Sequence, residues 1–303
     1  MTAAPVPASP RPARRRPPAA WAWGALGILA LCAVWELYKL IGPADGVVVA
    51  GTRILPRTSD LAMPHVWDMI LRVLGGETRA ASADPLWLVV AQAAVVTLGI
   101  AAAGLAIGAV VGVGLALAML AFRPVRFGLL PWIVLSQTVP LIAFAPLVRS
   151  WGARIEIGAF AWQDGMSVAV IASYLAFFPI AVGALAGLDS PDRIHLELMR
   201  TYGVGWWRTL LALRLPAAVP YLLTALRLAA ANAVVGAVVA EVSTGMQGGI
   251  GRMIIQFAGQ ASGDPAKAWA PIFGAIALGL VAAGSVALLG RLLQDYRRVE
   301  VSP

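Results

Sequence analysis

Six long apolar stretches, at residues 21–41, 86–120, 127–148, 166–188, 219–242 and 268–289, dominate this chain of 303 residues. Most come close to the roughly 20 residues a helix needs to cross about 30 Å of hydrocarbon. The chain is 60% hydrophobic and only 13% charged, with a mean hydropathy of +0.80. A soluble domain carries about 25% charge. One aqueous core cannot hide this much apolar surface, so a bilayer must act as its solvent. The sequence therefore predicts an all-α fold, a polytopic membrane helix bundle of about six transmembrane helices. The stretch at 86–120 is too long for one upright span, since at 1.5 Å per residue it would reach about 50 Å. It predicts a short interfacial lead-in, with the span proper starting near Leu98.

Residues 1–20 are rich in Pro, Ala and Arg with no apolar period, which predicts a disordered cytoplasmic tail. Residues 21–42 read as an uncleaved transmembrane anchor rather than a signal peptide, because no small-residue cleavage site ends the apolar run. Residues 43–85 form an extracytoplasmic segment with a short amphipathic helix, for which Asp60 is the expected cap, Pro64 the first turn and Gly75 and Gly76 the end. A core at 86–290 follows, containing a cytoplasmic loop at 189–218, and then a cytoplasmic tail at 291–303. With the N-terminus inside, thirteen Arg fall on the cytoplasmic side, against eight Arg and Lys outside. This bias places both termini in the cytoplasm of a multi-pass plasma-membrane protein. The net charge of +8 does not indicate nucleic acid, because the Arg residues flank apolar runs as topology signals do. Cys32 is the one cysteine, so no disulfide framework or cysteine-rich metal site is available. His65 and His195 take structural or surface roles by default.

Gly104, Gly108 and Gly112, and again Gly183 and Gly187, recur every four residues. That spacing lines them up on one helix face, where a neighbouring helix can approach closely. No nucleotide-binding loop is present: such a loop places Gly-Lys before Ser or Thr, and Lys39 and Lys267 follow Tyr38 and Ala266. If ATP drives this protein, another subunit hydrolyses it, and the chain itself takes no cofactor. The most distinctive segment is 197–216, ELMRTYGVGWWRTLLALRLP. Asp189, Ser190, Pro191 and Asp192 precede it as helix-start residues. Gly203 and Gly205 allow a sharp change of direction. Trp206, Trp207, Leu210, Leu211 and Leu213 form a second helical patch, and Pro216 is expected to stop the element. Helix, hinge, helix and stop describe a knob that a soluble partner grips; a membrane-surface helix with tryptophan anchors is the other reading.

This segment resembles the cytoplasmic loop signature of permease subunits of binding-protein-dependent ATP-driven (ABC) importers: Glu-Ala-Ala, three residues, Gly, nine residues, Ile, one residue, Leu-Pro. Here it runs Glu197, Leu198, Met199, then Gly203, and after nine residues Leu213, Arg214, Leu215 and Pro216. Leu198, Met199 and Leu213 replace the two alanines and the isoleucine and keep an apolar face. SQTVPLIAFAPL at 136–147, FFPI at 177–180, Gly187-Leu188, Ala240-Glu241 and GGIGR at 248–252 resemble the nitrate/sulfonate/taurine-type branch. In that branch the second span usually opens on a polar, arginine-bearing stretch, whereas 93–100 is apolar here. The resemblance covers residues 54–289. It implies a type I importer permease fold, with Glu197, Leu198, Met199, Gly203, Leu213, Leu215 and Pro216 as ATPase-coupling residues. It also implies cytoplasmic ABC ATPase subunits that bind ATP and Mg, an extracytoplasmic solute-binding protein, and a second permease copy as homodimer or pseudodimer. The cargo it implies is a small solute, a nitrate-, sulfonate- or taurine-like anion or a vitamin-precursor heterocycle.

Polar groups at membrane depth are costly and so are functional candidates. Ser136, Gln137 and Thr138 sit among Pro131, Pro140 and Pro146; Tyr174 lies in the fourth run and Asn232 in the fifth. These five are the translocation-pathway candidates, and interhelical hydrogen bonding is their alternative role. Two other classes stay open from the residues alone. One is an ion-gradient-driven secondary transporter, against which stand the lack of duplicated halves and the few mid-membrane acids. The other is a non-transporting membrane assembly protein.

Overall fold

A computed structural model describes residues 20–49, 51–77, 84–158 and 160–292. Residues 1–19 and 293–303, which hold nearly all of the two expected tails, lie outside the described residues. The chain divides into two units, residues 1–68 and 69–303.

In the first unit, α1 (Ala20–Ile41) is one uninterrupted apolar helix. An antiparallel hairpin of β1 (Val47–Val49) and β2 (Thr52–Leu55) follows it. Lys39 is only 7% exposed, and its ammonium lies 2.5 Å from Asp60. A nearly buried cation must be paired, and this corrects the expected role of Asp60 as a helix cap. The amide of Val66, which opens α2 (Val66–Leu74), instead donates to Glu36 Oε1 at 2.7 Å. Glu36 Oε2 also lies 2.8 Å from His65 Nδ1. α2 runs across the division between the units.

The second unit is a bundle of α3 (Leu86–Ala121), α4 (Arg123–Ser136), α5 (Leu141–Gly152), α6 (Asp164–Leu188), α7 (Arg193–Thr201), α8 (Trp206–Thr209), α9 (Leu215–Thr244), α10 (Ile250–Gly259) and α11 (Ala270–Leu292). A short hairpin, β3 (Glu156–Ile157) and β4 (Phe160–Ala161), joins α5 to α6. Among the described residues, five helical segments are long and apolar enough to cross a membrane: α1, α3, α6, the run Trp206–Thr244 and the run Lys267–Arg291. α4 and α5 together make a sixth candidate, bent by 102°. The single span expected at 127–148 is thus broken, because Pro140 has no amide proton to continue the helix and caps α5 instead. No break separates the expected lead-in from the span at Leu98. α3 is one helix of 36 residues, about 54 Å long, and contains no proline to interrupt it. Its first turn is anchored by Leu86 and Val90 packing with Phe257 and Ala270.

The small-residue stripes seat α6 between α3 and α9. A Cβ added at Gly104 would lie 2.6 Å from the Ala172 Cβ, and one at Gly108 2.9 Å from the Ala176 Cβ. A Cβ at Gly183 would lie 2.5 Å from the Ala225 Cβ, and one at Gly187 2.9 Å from the Ala218 Cα. The core between these helices is mostly alanine with a few Val, Ile and Leu. Without a hydrophobic force between helices in lipid, close backbone approach supplies the packing. Large side chains point outward instead, as with Val95, Val110 and Leu280.

Arg–Asp pairs fasten both ends of the bundle. At one end Arg126 and Arg214 reach Asp189 at 2.6 and 3.5 Å, joining the starts of α4 and α9 to the end of α6. At the other, Arg149 pairs with Asp164 at 2.8 Å and donates to the Thr244 carbonyl. This joins the ends of α5 and α9 to the start of α6.

Candidate coupling surface and pathway residues

α7 leaves the bundle at the Asp189 end, and none of its residues is buried. Ile194, Leu198 and Tyr202 recur at helical spacing, and all three are more than half exposed. Glu197 is exposed and Met199 half-buried. The helix closes on Gly203 at φ +66°. The Gly203 amide donates to Arg200 O and the Val204 amide to Met199 O, each at 2.9 Å. These two bonds, with the left-handed residue between them, are the Schellman closure that glycine favours. The next helix starts at once, with Gly205 as the residue before α8. Trp206 and Trp207 meet edge to face with centroids 4.7 Å apart, and Trp207 is 71% exposed.

Pro216 does not stop this element. From Trp206 to Thr244 the chain is one helical run of 39 residues. A π-turn at Leu210–Arg214 lies just before the proline, where the Leu215 amide reaches Leu210 O. The wider turn relieves the clash a proline ring otherwise makes with the carbonyl four residues back. Leu213, Leu215 and Pro216 are half-buried there. Leu215 packs on a cluster containing Leu185, Leu188, Leu210 and Ala218. Of the seven coupling candidates, then, Glu197, Leu198, Met199 and Gly203 form a projecting helix and its closing turn. The other three form the root of α9. Arg214, donating to Leu188 O at 2.7 Å, ties that root to α6; its role was not apparent from the sequence.

The structure brings Ser136, Gln137 and Tyr174 together at the break between α4 and α5. The Gln137 amide reaches Ser136 Oγ at 3.2 Å, and the Tyr174 hydroxyl donates to the Ser136 carbonyl. Pro140 offers no amide to that carbonyl, which leaves room for the tyrosine. Thr138 is exposed and bonds only within its own turn, to Leu135 O at 2.8 Å. Asn232 stands apart from this group. It donates to Leu175 O at 3.4 Å, the carbonyl deprived of its helical partner by Pro179.

A second polar centre, at the Thr244 end, was missed. Glu241 and Thr97 are both 0% exposed. The Thr97 hydroxyl lies 2.8 Å from Glu241 Oε1, and the Gly251 amide donates to Oε2 at 2.7 Å. Ala240-Glu241 and the glycine-rich stretch at 248–252 were visible in the sequence, but nothing there linked them to Thr97, which is more than 140 residues away. Among the described residues no group of three His, Cys, Asp or Glu gathers as metal ligands do.

The family of binding-protein-dependent transport system inner membrane components matches residues 104–295. The formylaminopyrimidine transport permease protein ThiX of Halalkalibacterium halodurans is 35% identical over 206 residues, 67% of this chain and 76% of that one. The putative aliphatic sulfonates transport permease protein SsuC of Bacillus subtilis is 32% identical over 51% of this chain and 52% of its own. The taurine transport system permease protein TauC of Escherichia coli is 31% identical over 39% of each. A crystal structure of an amino acid ABC transporter with histidines superposes with a TM-score of 0.50 at 14% identity, over 69% of this chain and 94% of that one. At that identity the likeness shows the fold alone, the type I importer permease bundle. The chain belongs to the family of binding-protein-dependent transport system inner membrane components, as an ABC importer permease of the nitrate/sulfonate/taurine-type branch.

Proposed function

We propose that this permease carries a small solute across the inner membrane and takes its driving force from separate cytoplasmic ATPase subunits that grip residues 197–216. ATP and Mg bind to those subunits, a solute-binding protein delivers cargo from outside, and a second permease copy completes the pathway. Both termini face the cytoplasm. The observation that carries this reading is the form of α7: a helix with no buried residue, an apolar exposed face and a rigid glycine closure, rooted on an Arg–Asp cluster between two candidate spans. Such a helix fits a groove on a partner, as amphipathic helices do elsewhere. Closing of the ATPase dimer moves the paired α7 elements, and the bundle rocks between inward- and outward-open states. Ser136, Gln137, Thr138, Tyr174 and Asn232 are the proposed pathway-facing polar groups. The cargo is a nitrate-, sulfonate- or taurine-like anion or a vitamin-precursor heterocycle. The relatives named above are permeases for solutes of both kinds.

The test is co-purification of the partner ATPase and solute uptake for Glu197→Lys and Gly203→Pro. Both variants are expected to insert normally and to lose ATPase binding or coupled uptake. Unchanged co-purification together with unchanged uptake would remove 197–216 from the mechanism. Thermal shifts of the binding protein with taurine, an alkanesulfonate or a formylaminopyrimidine identify the cargo class.

A further inference from the structure

α10 begins without a cap of its own. Gly249, the residue before it, has no side chain to offer the free amides of the first turn. Two other helices supply the acceptors: the Ile250 amide donates to Thr97 Oγ1 of α3 at 2.9 Å, and the Gly251 amide donates to Glu241 of α9 at 2.7 Å. Thr97 closes the set by offering its proton to the same carboxyl group. The fit leaves no slack. A Cβ at Gly249 would lie 2.3 Å from the Glu241 carboxyl carbon, and one at Gly251 2.4 Å from Val238 O. A fully buried acid in a membrane-spanning helix is costly and is retained for a function.

The other fact that matters is where Glu241 sits along the chain. It lies near the far end of the helical run Trp206–Thr244, whose first residues are the second half of the proposed coupling segment. That run is about 58 Å long, more than a bilayer's hydrocarbon thickness. It is one continuous helical run, here called the rod, with the proposed motor contact at one end and α10 fastened to the other.

We infer that Glu241 and Thr97 are positioning residues for transport: they lock α10 to the rod, so that movement of the coupling element is transmitted to α10 at the opposite end. The inference rests on the proposed coupling role of residues 197–216. Without the clasp, the start of α10 is tied to α9 only by the turn at Gly245 and Gly248, both in left-handed conformation, and by apolar packing of Ile250, while Phe257 still packs on Leu86, Val90 and Ala270. Apolar packing alone does not fix the register of its first turn to α9, so α10 no longer follows α9 closely.

The experiment uses the permease–ATPase complex in nanodiscs and liposomes. Cys32→Ser removes the native thiol, and Gln256→Cys on the exposed side of α10 carries an environment-sensitive fluorophore. In the otherwise unaltered complex, ATP-Mg with vanadate is expected to change the fluorescence. Thr97→Val keeps the side-chain shape but loses the hydroxyl. It should abolish that change and lower uptake about tenfold, while ATP hydrolysis stays within about twofold of wild type. Thr97→Ser restores the hydroxyl and should restore both readouts. Glu241→Ala should match Thr97→Val; if it fails to fold, Thr97→Val carries the test. A nucleotide-driven signal and uptake that survive in Thr97→Val would overturn the clasp while leaving the coupling surface standing. Failure of the unaltered permease to assemble with an ATPase would overturn both.

Discussion

Two glycine turns lie at opposite ends of the same helical rod, and they use glycine for different reasons. At Gly203 the requirement is in the backbone: φ is +66°, and a Cβ placed there would meet nothing within 4 Å. At Gly249 and Gly251 the requirement is spatial, since the Glu241 side chain and the α9 backbone fill the room a Cβ would take. The first turn ends an exposed helix that a partner can grip. The second seats a helix against a buried carboxyl group. Surface recognition needs a shape held out from the bundle, whereas internal transmission needs contact with no free space, and in the proposed mechanism one helical run carries one of each.

Gly251→Ala strikes the tighter end and should have the largest effect. Its Cβ would be 2.4 Å from a backbone oxygen and 2.7 Å from the Glu241 Cβ, and neither can rotate away. Overpacking of this kind costs about 1–3 kcal/mol. Thermal unfolding of the purified protein in detergent should shift down by several degrees. A midpoint equal to wild type would mean that α10 does not press on α9, and the contrast between the turns would fail.

Gly203→Ala comes next. Nothing clashes, so only left-handed strain is added, about 1 kcal/mol, and it falls on an exposed local turn. The unfolding midpoint should hardly move, while the direction of α7 relative to α8 relaxes and coupled uptake falls. Gly203→Asn should be milder than Ala, because asparagine tolerates this conformation. A Gly203→Ala midpoint as low as that of Gly251→Ala would show that the cytoplasmic turn is a packing site too.

Much of this division could be read from the residues. The apolar runs marked six spans, five of them unbroken helices in the structure; the four-residue glycine stripes marked close-packed faces, which α3, α6 and α9 fill; and the spacing from Glu197 to Pro216 marked the projecting helix. Proline positions were read less well. Pro140 breaks a span that hydropathy alone joins, while Pro216 fails to break a helix because a π-turn just before it absorbs the ring. Periodicity sees composition along the chain and cannot register that local rearrangement. Pairings between distant residues were also invisible: Glu36 capping α2, and Thr97 meeting Glu241. These depend on which helices end side by side. For Thr97 and Glu241, the glycine stripes mark close-packed faces without naming the helix that fills them, and the Asp189 and Arg149 pairs join residues of different segments, so the pairing is not written within any one segment.

Between the two turns, the middle of the rod offers the finest test. Asn232 was a pathway candidate from its depth alone, yet its amide caps Leu175 O, the carbonyl that Pro179 leaves unpaired. If that is its whole task, Asn232→Ala costs about 0.6 kcal/mol, the average for hydrogen bonds between membrane helices, and leaves uptake unchanged. Pro179→Ala gives position 179 an amide proton that can serve Leu175 O within α6. In that background the same Asn232→Ala substitution should cost nothing, so the double-mutant cycle shows a coupling close to the whole single-site effect. Additive effects would show that Asn232 does not serve Leu175 O, and reduced uptake in Asn232→Ala at full stability would make Asn232 a group that cargo meets. The middle of the rod would then act in selection as well as transmission.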